Sequence, residues 1–210
     1  MSTAKRALIR REPKQKRSQQ TVDTVLDALA VVVKRHGVRA ITTNRIPEAA
    51  GVSVGSLYQY FPDKRAIFTA LHDRHVDEVR QVIEQTMAAF RSARLEEFAR
   101  ELVQGLMNVH AGFAELHEVV SSAVPERAPG FRNALHHSFG QVLSGANQQR
   151  YSRDVTERML FVLPGLVESL VHGAAHQGRS ALSRNGAESE AIRTVAIYVN
   201  SFQGSAPRHY

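Results

Sequence analysis

The sequence predicts an all-α protein: a small N-terminal three-helix domain followed by a larger helical domain. Three observations predict it. Apolar residues recur at helical spacing from Val22 onward, no segment alternates convincingly with period two, and turn-forming residues separate the periodic runs. No internal repeat or low-complexity block interrupts the pattern.

Ser18 is a good N-cap for the first helix. Val22, Val25, Leu26, Leu29, Ala30 and Val33 then form one stripe. Lys34, Arg35 and His36 crowd the last turn and Gly37 ends it, as the helix dipole and a left-handed cap favour. Phe68, Leu71, Val79 and Val82 mark a fourth helix, with His75 set into its stripe. Leu95, Phe98, Ala99, Leu102, Val103, Leu106 and His110 mark the next. Gly112 and the Pro125–Pro129 pair set off a shorter helix through Leu116, Val119, Val120 and Ala123. Phe131, Leu135, Phe139 and Val142 suggest another. Met159–Ala175 is apolar on nearly every side and carries Pro164, a kinking residue. A last helix is expected from about Ser189 to Phe202.

The chain has no cysteine, which excludes disulfides, thiolate metal sites and cysteine nucleophiles. Apolar runs such as Met159–Leu163 fall far short of the ~20 residues of a membrane span, and no signal peptide is recognisable. A cytoplasmic location without membrane association is the expectation. Of the net charge of +7, all resides in residues 1–60, with eleven Lys/Arg against four Asp/Glu; residues 61–210 carry sixteen of each. Such an asymmetry points to a polyanion at that end, nucleic acid being the usual one, although a solvated basic tail gives the same count. Residues 1–17 hold seven of these basic residues and read as a flexible arm.

The informative segment is TTNRIPEAAGVSVGSLYQYFPDK, Thr42 to Lys64. Thr42 or Thr43 can cap a short helix whose Ile46, Ala49 and Ala50 make a small apolar face. Gly51 turns the chain, where a left-handed conformation costs glycine little. Val52 anchors the turn, and Ser53 can cap a second helix that points Leu57 and Phe61 inward. Val54, Gly55, Ser56, Tyr58, Gln59 and Tyr60 are left facing outward. Ser56 and Gln59 suit base edges, and the tyrosine hydroxyls suit phosphate oxygens. Two helices around a tight turn, the second offered to a groove, make a helix-turn-helix.

Here the pattern Thr-Thr-x-x-Ile-x-x-x-Ala-Gly-Val-Ser-x-Gly-x-Leu-Tyr-x-Tyr-Phe-x-x-Lys resembles the signature of the TetR/AcrR family of transcriptional regulators, over roughly residues 18–70. The resemblance implies a homodimer whose two heads read an inverted-repeat operator in double-stranded DNA. It also implies a C-terminal domain that binds a small-molecule effector. On this reading residues 18–65 form the DNA-binding domain and 66–210 the effector-binding and dimerisation domain. Thr43, Arg45, Ser53, Val54, Gly55, Ser56, Tyr58, Gln59, Tyr60 and Lys64 then become DNA-binding candidates. Among these Thr43, Tyr58, Tyr60 and Lys64 resemble the backbone contacts. Pro47 stands where the family usually has alanine, and proline removes a first-turn donor.

Weaker signals concern the body of the chain. His75, Met107, His110, Phe113, Phe139 and Val167 are candidates to line an effector pocket, and equally to be core. Leu166, Leu170, Ile192, Val195, Ala196 and Val199 are candidates for a dimer interface. His172 and His176, four apart, could share a helix face, but without a His-Glu-x-x-His type cluster no metal and no cofactor are expected. Walker and dinucleotide-binding glycine patterns and a nucleophile elbow are missing, so an enzyme is not expected. The favoured function is a ligand-released repressor; the alternatives are a sequence-tolerant architectural DNA-binding protein or a helical enzyme.

Overall fold

A computed structural model describes residues 16–36, 41–42, 44–123, 130–175 and 183–202. Among them every regular element is helical: α1 (Lys16–His36), α2 (Arg45–Ala50), α3 (Val54–Tyr60), α4 (Lys64–Phe90), α5 (Leu95–Ala123), α6 (Gly130–Ser144), α7 (Arg153–Ala175) and α8 (Arg184–Asn200). The chain divides into two compact units at His75/Val76, with residues 113–123 grouped with the first among the described residues.

The first unit is built on the α1 stripe. Val22, Val25, Leu26, Leu29 and Val33 are buried as the spacing requires, while Ala28 and Val32 widen the face and Ala30 lies half-buried at its edge. Ile41, Ile46, Leu57, Phe61, Ala66, Ile67, Phe68 and Leu71 close the core from the other side. The helix starts at Lys16, so Ser18 lies within it and is not its cap. Lys, Arg and Gln are all good helix formers, and nothing in that run stops the helix from extending upstream. An ion pair of 2.6 Å joins Arg74 to Asp27 across the surface. With Asp27 mostly exposed it contributes far less than the apolar packing.

The second unit has its own core. Leu95, Phe98, Leu102, Val103, Leu106, Leu135, Phe139, Val142, Met159, Leu163, Val167 and Val171 are enclosed together. Phe98 meets Phe139 edge-on, with centroids 5.6 Å apart. Gly105 is the residue that lets α4 and α5 approach: a Cβ there would stand 2.7 Å from Val82 Cγ1. Gly112 does not interrupt α5, which runs 29 residues without a break where two helices were expected. One helical glycine costs only about 1 kcal/mol. The buried side chains from Leu95 to His110 outweigh that. Likewise α7 starts at Arg153, six residues before the apolar run, and α8 at Arg184. Both first turns are mostly polar, with one buried apolar residue each, Val155 and Ala187, four residues ahead of the next in its stripe, and both are capped. Ser152 Oγ accepts from Val155 N at 3.3 Å and Ser183 Oγ from Gly186 N at 3.2 Å. Pro164 is accommodated inside α7.

Asn147 is a buried amide, 1% exposed, that ties two turns together. Its Oδ1 accepts from Leu95 N at 3.2 Å, and its Nδ2 donates to Ala93 O at 3.0 Å and Val142 O at 3.3 Å. Removing it strands one buried donor and leaves two carbonyls short of a partner. Asn147→Ala should therefore destabilise the protein by ~3 kcal/mol, read as a lowered urea midpoint with an unchanged m-value. A change below the error of the measurement would show that water replaces the amide.

Candidate nucleic-acid interface

The helix-turn-helix is assembled from local rules. Thr42 Oγ1 accepts from Arg45 N at 3.2 Å, which identifies the capping threonine; Thr43 lies outside the described residues. The α2 ladder runs from Ile46 N to Thr42 O at 3.2 Å and from Glu48 N to Asn44 O at 3.3 Å. Pro47 omits the bond between these two, and its buried ring packs inward instead. Gly51 follows at φ 65°, the left-handed conformation that a side chain would strain. Its N–H and that of Val52 satisfy Glu48 O and Pro47 O at 3.2 and 3.0 Å.

Ser53 is extended and caps α3, its Oγ accepting from Ser56 N at 3.0 Å. The two hydroxyls also pair with each other at 2.8 Å, so the Ser56 side chain is engaged within its own turn. Leu57 and Phe61, each 1% exposed, fix α3 to the core. Each such burial contributes about 2 kcal/mol. Val54 (42% exposed), Gly55, Tyr58 (39% exposed) and Gln59 form the outward face. Tyr60 departs from the outward position expected of it: it is half-buried and packs against the head core. It lies three residues from Leu57 and next to Phe61, so helical geometry turns its ring toward them. Arg45 is exposed at the start of α2. Asp63 Oδ1 accepts from Ala66 N at 2.8 Å and caps α4. This leaves Lys64 exposed in the first turn, its Nζ 5.4 Å from the Phe68 ring centroid. Arg65, absent from the sequence-derived set, stands exposed beside it, and its place next to Lys64 was the only signal.

The other candidates separate. His75 is buried in the first unit. Met107, Phe139 and Val167 belong to the enclosed core of the second; the Phe113 side chain lies outside what the structure describes. His110, 2% exposed, is brought together with two residues that helical spacing did not associate with it. Its ring lies 5.7 Å from that of Phe131 and 5.1 Å from that of His172, and the latter two are 5.4 Å apart. His176, the neighbour suggested for His172, lies outside the described residues. A separate open cleft of about 360 Å³ is lined by Met87, Arg91, Ser92, Gln141, Ser144, Gly145 and Ala146, none of them a pocket candidate.

The dimer candidates are largely consumed by the chain's own packing. Val195 and Val199 are 1% and 0% exposed, while Leu166, Leu170 and Ile192 pack half-buried on the same core. Ala196 is half-buried as well. An apolar stripe does not tell which partner will cover it. What stays open on α7 and α8 is Phe161 (87% exposed) and Ile197 (59% exposed). Among the described residues, no helix is long and apolar enough to cross a membrane, and no group of three or more His, Cys, Asp or Glu is placed to hold a metal.

A glycine-turned, serine-capped pair of short helices packed on a third defines a helix-turn-helix. Residues 25–71 match the family of bacterial regulatory proteins described as the tetR family. It is similar to the nucleoid occlusion factor SlmA of Haemophilus ducreyi, 31% identical over 120 residues, 56% of this chain and 54% of that protein. The SlmA of Glaesserella parasuis is 30% identical over 120 residues, with 57% and 54% covered. The chain thus spans about half the length of the curated relatives it matches. Two solved structures share its fold. One is a TetR-family transcriptional regulator from Mesorhizobium loti, at TM-score 0.62, 20% identity and coverage of 89% and 98%. The other is a transcriptional regulator from Rhodococcus, at TM-score 0.63, 16% identity and coverage of 89% and 99%.

His110 also makes a measurable prediction. Burial strips its hydration and lowers its pKa from 6.5 to about 4; the 2.9 Å contact of Nδ1 with Leu106 O opposes this, and nearby His172 adds to it. The unfolded chain therefore binds a proton that the folded chain refuses between pH 6.5 and about 4. Stability from this group is full above 6.5 and falls as pH drops through that window. Thermal midpoints of the wild type should drop more steeply across it than those of His110→Gln. Parallel profiles would mean His110 titrates alike in both states.

Proposed function

We propose that the chain is a homodimeric, sequence-specific repressor, released from an inverted-repeat operator by a small-molecule effector. The observation that carries the reading is the outward face of α3, held by Leu57 and Phe61 within the first 60 residues, which carry the chain's whole net positive charge. Residues 18–65 act as the DNA-binding head and 66–210 as the sensing and dimerisation body. Val54, Gly55 and Gln59 face base edges. Arg45, Tyr58 and Lys64 hold phosphates, setting affinity with a strong salt dependence, and the basic arm adds to it. The body takes the effector near His110, and two copies meet through the Phe161 and Ile197 faces of α7 and α8. A second reading is favoured by the SlmA relatives, named nucleoid occlusion factors: DNA binding that serves chromosome organisation and not a promoter.

Selection of bound duplexes from a random pool by the full chain tests the main reading. An enriched inverted repeat is expected; uniform recovery would leave only the sequence-tolerant alternative. On the enriched duplex, Lys64→Ala should weaken specific and scrambled DNA alike and reduce the salt slope by about one. Gln59→Ala should leave the slope unchanged and cost about 1–3 kcal/mol at one symmetric position. If Gln59→Ala weakens both duplexes equally, Gln59 contacts the backbone.

For the dimer, Phe161→Arg should shift the sedimentation of the protein from dimer to monomer at micromolar concentration. An unchanged dimer would move the interface elsewhere.

A further inference from the structure

Five large apolar side chains stand exposed among the described residues, and two of them, Val54 and Tyr58, lie on the seven-residue α3. They are four apart and share one face. This is the face turned away from the head core, since Leu57 and Phe61 occupy the other. The hydroxyls beside Val54 are already spent on each other, Ser53 and Ser56 pairing at 2.8 Å while Ser53 also caps the helix. Gly55 carries no side chain, and a Cβ there would meet only Ser53 Oγ at 3.8 Å, so the residue beside Val54 adds no bulk to this face. This end of α3 thus presents a methyl surface where hydrogen-bonding groups were expected.

We propose that Val54 is a specificity-determining residue that reads the 5-methyl group of a thymine in the major groove. The inference rests on the reading of α3 as the base-reading helix. A polyanion is drawn to the basic N-terminal end of the chain, but charge does not choose among bases. In the major groove the thymine methyl is the one apolar feature among the four bases, and an exposed branched aliphatic group complements it and nothing else there. Cytosine at that position offers an amino donor that a valine leaves unpaired, so the contact rejects it as well as favouring thymine. The methyl contact also removes Val54 from water, so its exposure in the free protein becomes part of the binding energy.

The test uses the full chain and the duplex it enriches from a random pool. Each thymine of the half-site is replaced in turn by deoxyuridine, which lacks only the methyl, and affinities are measured for the wild type and for Val54→Ala. One thymine should show about a fourfold loss per half-site with the wild type, the worth of one buried methyl-sized group. Val54→Ala should bind the thymine duplex correspondingly more weakly and show no further loss on deoxyuridine. Val54 is exposed, and the Ser53 cap does not use its side chain, so the variant should fold as the wild type does. Equal deoxyuridine losses in both proteins would assign the methyl to another residue and overturn the proposal. So would the absence of any loss, or an enriched site lacking thymine. Failure to enrich any sequence would instead overturn the reading of α3 on which the proposal rests.

Discussion

The head depends on one constraint: a seven-residue helix has no stability of its own. Everything α3 offers to a partner is available only because Leu57 and Phe61 are driven into the core made by α1, α2 and the first turns of α4. Gly51 sets the angle at which α3 arrives, and the Ser53 hydroxyl fixes where it starts. Asp63 then launches α4 within three residues of α3's end. The outward face is therefore a by-product of inward packing. Substitutions at Leu57 or Phe61 would disturb DNA binding as surely as substitutions on the exposed side.

Periodicity made most of this legible in the sequence. The stripe of α1, the glycine turn, the serine cap and the Leu57–Phe61 pair each follow from a local rule, and each appears where the rule places it. The helix ends were harder. The starts of α7 and α8 carry only one buried apolar residue each, Val155 and Ala187, too little signal to extend the stripes back to the caps at Ser152 and Ser183. Gly112 misled in the other direction, because glycine's helix penalty is small beside the packing of a long buried face.

Side-chain partnerships across helices were the least visible. Nothing in the spacing of His110, Phe131 and His172 announces that their rings meet, since they come from α5, α6 and α7. Nor does a stripe of Val195 and Val199 reveal whether its cover is the same chain or another copy. Tyr58 and Tyr60 look equivalent in the sequence. They differ in the fold because only residue 60 falls on the side of Leu57 and Phe61. The pairing of Ser53 with Ser56 likewise needed coordinates: the sequence offers two hydroxyls, and the fold turns both inward on one another.

That inward closure separates two properties of the head that are often entangled. The cap, the turn and the core anchors hold α3 without enlisting the side chains of Val54, Tyr58 or Gln59. Those positions are free to drift, because replacing them strips no cap and opens no cavity. A gene duplicate of this chain could acquire a new set of target sites by changing a few exposed residues while its folding stability stayed where it was. The same separation makes the head a tolerant scaffold for directed retargeting: a library over the exposed face would be sampled by recognition alone, with few members lost to misfolding.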